Sequence, residues 1–179
     1  MSEQKYKCGD MLLFKTMPNI VGWLQFLCDG PAGHMELILD ADGNNAFTLG
    51  MAADGLKYRN HMVGSNHCVL RLDQPIDELK MQEAARSVYL DSNKTYAWGK
   101  VMECAFSQLM DRVTLSLWKK HVPIQIGTSR FCSSTVAEVY RRYPGFTFSR
   151  QGEENIDPSA LTPSDPLKCR GIIMIKPFI

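Results

Sequence analysis

Long hydrophobic runs, strong net charge and closely spaced cysteines are all absent from this sequence of 179 residues. No stretch approaches the roughly 18 apolar residues that a membrane-spanning helix needs, so we expect no membrane span. The first apolar run, residues 11–14, is too short for the core of a signal peptide, which favours a soluble, cytoplasmic protein. The formal net charge is +1 and the basic residues are scattered, so nothing indicates a nucleic-acid partner.

The six cysteines are dispersed along the chain, and no two have the C-x-x-C spacing that is typical of zinc and redox sites. They are Cys8, Cys28, Cys68, Cys104, Cys132 and Cys169. Because nothing indicates export, we expect free thiols that are mostly buried as small hydrophobic side chains.

Several catalytic and cofactor motifs are also missing. The sequence contains no H-E-x-x-H, no G-x-x-x-x-G-K and no G-x-S-x-G. His34-Met35-Glu36 has the H-x-E form of zinc deaminases, but the P-C-x-x-C partner motif is absent. We therefore expect neither a metal nor a cofactor, and the enzyme hypothesis that remains is thiol chemistry.

The residues that are present fit one globular domain, residues 1–179. The composition is ordinary, with 45% hydrophobic and 22% charged residues. A chain of this length can bury a substantial core without disulfides or metals. Short apolar or alternating runs predict strands, and we expect those in the first part of the chain to pair as an antiparallel sheet. These runs are residues 11–15, 34–40, 46–49, 56–59, 67–72 and 171–176.

Apolar residues at helical spacing predict helices between these strands. The helical segments are residues 18–28, 75–90, 98–120 and 128–143. A polar loop follows over residues 152–165, and its end, Thr162-Pro163-Ser164-Asp165, is typical of a helix start with Pro163 as the first helical residue. Because the order lacks a βαβ rhythm, the pattern favours the α+β class, with helices packed against the sheet.

Cys132 stands at the start of a predicted helix, and the polar residues Ser133-Ser134-Thr135 follow it. At a helix N-terminus, unpaired amides and the helix dipole stabilise a thiolate, and the same amides can donate to an oxyanion. An inert buried cysteine at a helix cap has the same local sequence, so both interpretations stay open on these residues alone.

His34 opens a predicted strand, and Glu36 lies two residues later, which puts both side chains on one face of the strand. A carboxylate there can orient the imidazole and stabilise its cation, as the third member of a catalytic triad does. The competing histidines are His61 in a predicted loop, His67 in a predicted strand and His121 at a predicted helix end.

The order of these segments resembles the circularly permuted papain-like amidases of the NlpC-type superfamily, over nearly the whole chain. The most informative pieces are Cys-Gly-Asp-Met-Leu-Leu-Phe at 8–14, Gly-His-Met-Glu-Leu-Ile-Leu at 33–39 and Arg-Phe-Cys-Ser-Ser at 130–134. They are similar to the opening strand, the strand of the catalytic histidine and the nucleophile of that family. The further similar segments are residues 21–24, 54–59, 94–98 and 157–163.

The resemblance implies a permuted papain-like fold in which Cys132 is the nucleophile and His34 its base. Glu36 is the nearest candidate for the third catalytic residue, because no carboxylate is present near Thr48, where relatives can place one. We expect four side chains to line the substrate pocket. These are Tyr96, Trp23, Ser133 and Ser134.

The implied activity is that of a thiol amidase or peptidase that cleaves an amide or isopeptide bond through an acyl-enzyme. The resemblance suggests small peptides, cell-wall peptides or lipids as substrates. Because no export signal is present, we favour a cytoplasmic amidase, for example one that is phage-encoded or one that acts on recycled or modified peptides.

Two alternatives stay open. Relatives often carry an acidic residue where this chain has Ser134 and Ala97, and a Ser or Thr where it has Gly33. These departures favour a catalytically silent member that binds a ligand or a partner in the same cleft. The second alternative is a lipid acyltransferase or thioesterase, as in the lecithin–retinol acyltransferase relatives.

Overall fold

The structure, a computed structural model, describes residues 5–17, 30–96, 129–130, 132–143, 146–149, 156 and 161–179. The strands in this part of the chain are β1 (Met11–Lys15), β2 (Ala32–Asp42), β3 (Asn45–Ala52), β4 (Gly55–Met62), β5 (His67–Leu72), β6 (Asn93–Tyr96), β7 (Ser129–Arg130) and β8 (Ile172–Lys176). The helices are α1 (Glu78–Asp91), α2 (Cys132–Arg142) and a 3-10 helix (Asp165–Lys168). The helices predicted over 18–28 and 98–120 lie outside the described residues.

Six of these strands form one antiparallel sheet in the order β4-β3-β2-β1-β5-β8. Strands β6 and β7 form a separate parallel pair. The predicted α+β class and the predicted antiparallel sheet are therefore confirmed. All six strands expected from the hydrophobic pattern are present in this sheet, and the last of them, β8, pairs with β5.

A two-residue connection joins β2 to β3, and the register that it sets shifts by one residue at an irregularity between Ile38 and Asp40. Gly43 in this connection has a φ of +58°, a left-handed conformation that glycine adopts without a steric penalty. Leu37 then pairs with Leu49, and Ile38 pairs with Thr48. Residues from these two strands consequently face one another across the ladder.

The main hydrophobic core lies between one face of the sheet and the two α-helices. The alternate residues Met35 and Leu37 of β2 are fully buried there, together with Val136 and Val139 of α2. Tyr140 of α2 is also completely buried. Its hydroxyl donates a hydrogen bond to the backbone carbonyl of Gly9, just before β1. Helix α2 is therefore fixed against the sheet by both apolar packing and a buried polar contact.

Two predicted helix starts need correction. Helix α1 begins at Glu78 and not at Pro75, because Asp77 caps it by accepting a hydrogen bond from the amide of Lys80 at 3.2 Å. The C-terminal helical turn begins at Asp165 rather than at Pro163, and it is a single 3-10 segment. Helix α2, in contrast, begins at Cys132, where the sequence predicted a helix to start nearby.

Within the described ranges, no helix combines the length and the apolar character that a bilayer span requires.

Candidate active site

Cys132 and His34 meet where the start of α2 approaches the start of β2. Cys132 is the first residue of α2 and is 3% exposed. His34 is the third residue of β2, with 25% of its side chain exposed. Cys132 acts on His34 through its charge and its side chain, and both raise the pKa of the imidazole. The structure therefore brings the two residues of the predicted pair together, although 98 positions separate them in the chain.

Glu36 contacts the same imidazole through its other side. Its Oε1 lies 3.0 Å from Nε2 of His34, and the carboxylate is almost completely buried. The three side chains thus form a chain of thiol, imidazole and carboxylate, which is the arrangement that nucleophilic thiol catalysis uses.

Three further side chains hold the carboxylate of Glu36. The hydroxyl of Thr48 donates to Oε2 at 2.5 Å, and Nε2 of His61 lies 2.9 Å from the same oxygen. Nη1 of Arg59 lies 3.5 Å from Oε1. Burial by itself raises the pKa of a carboxyl group, but the hydrogen bonds from His34, His61 and Thr48 hold the pKa of Glu36 well below its usual range.

The pKa of His34 moves in the opposite direction. Burial by itself would lower it, but the charge and the hydrogen bond of Cys132, together with Glu36, outweigh burial and raise the pKa of His34 to about 10. The imidazole therefore keeps its proton at neutral pH when it faces a thiolate. Burial raises the pKa of Cys8 to about 12 and the pKa of Cys68 to about 11, so these two thiols stay protonated.

Gly50 on β3 provides the space in which the carboxylate of Glu36 lies. A Cβ atom at position 50 would be 2.4 Å from both Cγ and Cδ of Glu36, which is far closer than non-bonded carbon atoms approach. Only glycine therefore leaves room for this buried carboxylate.

Three histidine rings surround Phe14 on the sheet face that carries Glu36. Ring centroids lie 5.1 Å from Phe14 for His34, 5.0 Å for His61 and 4.8 Å for His67. Phe14 is on β1 and His61 is on β4, and a flat sheet would separate these strands by about 14 Å. The close approach of the rings shows that the sheet curls towards this face.

A short C-terminal segment connects the start of strand β2 to the start of helix α2. The buried hydroxyl of Ser164 accepts a hydrogen bond from the amide of Ala32 at 3.1 Å, two residues before the histidine. The hydroxyl of Ser133 donates to the carbonyl of Leu161 at 2.5 Å, one residue after the cysteine. Residues 161–164 therefore tie the backbone beside the imidazole to the backbone beside the thiol.

The expected pocket residues have different outcomes. Ser133 and Ser134 are buried, at 0% and 3% exposure, and the hydroxyl of Ser133 is engaged by the backbone of the C-terminal segment. Tyr96 is the last residue of β6. Trp23 lies outside the described residues, and so does the competing histidine His121. The pocket roles of these four expected residues stay predictions.

The predicted position of His61 was wrong, and the sequence pattern did not indicate the partners of Glu36. His61 lies in strand β4 and not in a loop. The alternating residues Lys57, Arg59 and His61 lie opposite Gly50, Thr48 and Ala46 of β3, respectively. Basic side chains alternate with Leu56, Tyr58 and Met62 along this segment, and this period-2 pattern was the signal that the strand predicted over 56–59 continues through His61.

The described cysteines match the expectation of free, buried thiols. They are Cys8, Cys68, Cys132 and Cys169, whereas Cys28 and Cys104 lie outside the described residues. In the part of the chain that the structure describes, no group of three or more His, Cys, Asp or Glu side chains is arranged to hold a metal ion.

No protein-family model and no curated protein matches this chain significantly.

Proposed function

We propose that this chain is a thiol hydrolase, an amidase or peptidase, with a circularly permuted papain-like fold of the NlpC type. In this proposal Cys132 is the nucleophile, His34 the acid and base, and Glu36 the residue that orients His34. The observation that carries the proposal is that one imidazole, His34, interacts with Cys132 and also lies, through Nε2, 3.0 Å from Oε1 of Glu36.

The proposed reaction begins with the thiolate–imidazolium pair. The sulfur of Cys132 attacks the carbonyl carbon of an amide or isopeptide bond, and a C–S bond forms. Backbone amides at the start of α2 stabilise the oxyanion. The imidazolium of His34 then gives its proton to the leaving amine as the C–N bond breaks. His34 next takes a proton from water, the hydroxide attacks the thioester, and the free acid and the thiol pair are regenerated.

Glu36 has a defined electrostatic role in this scheme. Its full negative charge, 3.0 Å from Nε2, stabilises the imidazolium that faces the thiolate. Because the carboxylate is buried and its pKa is held low by its hydrogen bonds, it stays ionised throughout the reaction. It therefore orients the ring and does not itself exchange a proton.

We propose small peptides, cell-wall peptides and lipid acyl groups as the substrate classes, and the cytoplasm as the location.

The permuted papain-like arrangement is supported by the order of Cys132 and His34 in the chain. The histidine comes from a strand near the start, and the cysteine comes from a helix near the end. Such sites are defined by geometry and not by chain order.

Selective alkylation tests the thiol chemistry directly. Iodoacetamide at pH 6, followed by peptide mass spectrometry, should label Cys132 at least tenfold faster than Cys8 or Cys68, because only a thiolate reacts quickly. The variant His34→Ala should abolish this advantage. His67→Ala is the matched control, since it removes another ring from Phe14 but leaves the thiol pair intact.

Equal labelling of all the thiols, or unchanged labelling of Cys132 in His34→Ala, would overturn the proposal and favour a silent binding protein. If labelling is selective, acyl donors identify the reaction. Accumulation of a hydroxylamine-sensitive acyl group on Cys132 from peptide esters supports the amidase. Acylation by lipid donors alone would instead indicate a lipid acyltransferase.

A further inference from the structure

His61 makes a contact with the candidate site that the proposed mechanism does not use. It lies on β4, two strands away from β2, and its Nε2 is 2.9 Å from Oε2 of Glu36. His34 contacts the other oxygen, Oε1, at 3.0 Å. One buried carboxylate therefore lies between two imidazole rings that come from different strands.

The two oxygens of Glu36 have different sets of partners. Oε2 receives hydrogen bonds from Thr48 and His61, whereas Oε1 faces His34 at hydrogen-bonding distance, with Arg59 somewhat further away. The carboxylate cannot rotate without breaking the contacts on Oε2. Its orientation towards His34 is consequently set by groups on the two neighbouring strands.

We propose that His61 is a positioning residue that acts on His34 through Glu36. By donating a hydrogen bond to Oε2, His61 keeps Oε1 directed at Nε2 of His34, and it thereby supports the imidazolium that faces Cys132. The inference rests on the proposed thiol function, because its readout is the reactivity of Cys132.

The contacts of His61 distinguish a positioning role through Glu36 from a role in packing alone. Phe14 of β1 faces its ring at 5.0 Å, His67 of β5 lies 6.5 Å away, and Arg59 is two residues earlier on the same strand. His67 makes nearly the same edge contact with Phe14, at 4.8 Å, but its Nδ1 accepts a hydrogen bond from the amide of Gly64. A packing role would therefore be common to both histidines, and a role through Glu36 is specific to His61.

The test is the pH profile of iodoacetamide labelling at Cys132, measured between pH 4 and pH 9 in four variants. In His61→Ala the acid limb should move up by about one pH unit, so that labelling on that limb falls about tenfold, because the imidazolium loses part of its support. His61→Gln, whose amide can donate from the position of Nε2, should restore most of the parent profile. His67→Ala should leave the profile unchanged.

An unchanged profile in His61→Ala, or an equal displacement in His67→Ala, would overturn the inference. If the alanine variant does not fold, His61→Asn gives the same comparison, since its shorter amide does not reach Oε2. His34→Ala in the same series keeps the two proposals distinguishable. If His34→Ala abolishes selective labelling while His61 variants behave as the parent, only the role of His61 falls. If His34→Ala changes nothing, the thiol function itself falls.

Discussion

Oε1 of Glu36 lies 3.0 Å from Nε2 of His34, two positions earlier on the same strand. The alternation of side chains along β2 puts both groups on one face, and the hairpin to β3 buries the carboxylate beneath Thr48. The carboxylate is therefore a buried negative charge at hydrogen-bonding distance from the imidazole of His34. This arrangement makes Glu36 the residue whose replacement is most informative.

Replacing Glu36 by glutamine should slow the labelling of Cys132 at pH 6 by about tenfold, because the imidazolium of His34 loses its neighbouring charge. The change keeps the size of the side chain, so packing is largely preserved. The control is Glu138→Gln in α2, which removes a buried carboxylate that pairs with Arg141 and Arg142. Equal slowing in both variants would contradict a specific role for Glu36.

The stability of the protein should depend on the ionisation of Glu36 at acidic pH. The folded-state pKa of Glu36 lies below its ordinary value of 4.5, owing to its hydrogen bonds. Its contribution to the free energy of unfolding is therefore present above pH 4.5 and is lost as the pH falls towards the folded-state pKa. Glutamine does not titrate. We expect the parent to exceed Glu36→Gln in stability by about 2 kcal/mol at pH 7, and this difference should shrink between pH 5 and pH 3.

Urea denaturation at several pH values measures this difference. A gap between the parent and Glu36→Gln that stays constant, or widens, as the pH falls to 3 would show that the carboxylate is not stabilised by its partners in the folded state.

The sequence predicted the strands and helix starts that have a clear apolar period. Apolar residues in the runs around Leu12 and Leu37 are buried. In the helix that begins at Cys132, apolar residues recur at helical spacing. These local patterns also placed His34 and Glu36 on one face. The pairing of Cys132 with His34, however, came from a resemblance to a family and not from any local pattern.

What the sequence did not reveal depends on contacts between distant strands. His61 approaches Phe14 and Glu36 only because the sheet curls, and curling is a property of the whole sheet. The predicted strand over 56–59 stopped before His61, because the residues that follow Arg59 are largely polar. The space for the carboxylate at Gly50 is likewise visible only when β2 and β3 are in register.

Replacing Gly50 by alanine should displace the carboxylate of Glu36. The added methyl group would lie 2.4 Å from two carbon atoms of that side chain, and the backbone at Gly50 is not left-handed, so the effect arises from contact alone. We expect a loss of about 1–3 kcal/mol in the free energy of unfolding and a marked drop in the labelling of Cys132. Thermal unfolding and alkylation at pH 6 measure the two effects.

The matched control is Gly64→Ala. A methyl group there has only Nδ1 of His67 nearby, at 4.0 Å, so stability should change by less than about 0.5 kcal/mol. Gly50→Ala with parent-like labelling would show that the position of the carboxylate does not govern the reactivity of the thiol.

Ser164→Ala should loosen the connection between the start of β2 and the start of α2. The buried amide of Ala32 would lose its hydrogen bond at 3.1 Å, which should cost about 1–2 kcal/mol of stability. Because Ala32 is two residues before His34, we also expect the labelling of Cys132 to slow by roughly two- to tenfold, since small misplacements of reacting groups are costly. Alkylation is measured under conditions where each variant is fully folded.

Ser87→Ala distinguishes this effect from general destabilisation. The hydroxyl of Ser87 donates to the carbonyl of Ala84 at 2.9 Å and accepts from Arg142 at 3.0 Å, so its loss should also reduce stability. This serine lies on α1, and its hydrogen bonds join Ala84 on the same helix and Arg142 at the end of α2. Slower labelling in Ser164→Ala but not in Ser87→Ala is therefore the result expected if residues 161–164 hold the imidazole and the thiol in register. If Cys132 is labelled at the same rate in the two variants, residues 161–164 stabilise the fold but do not position the imidazole and the thiol.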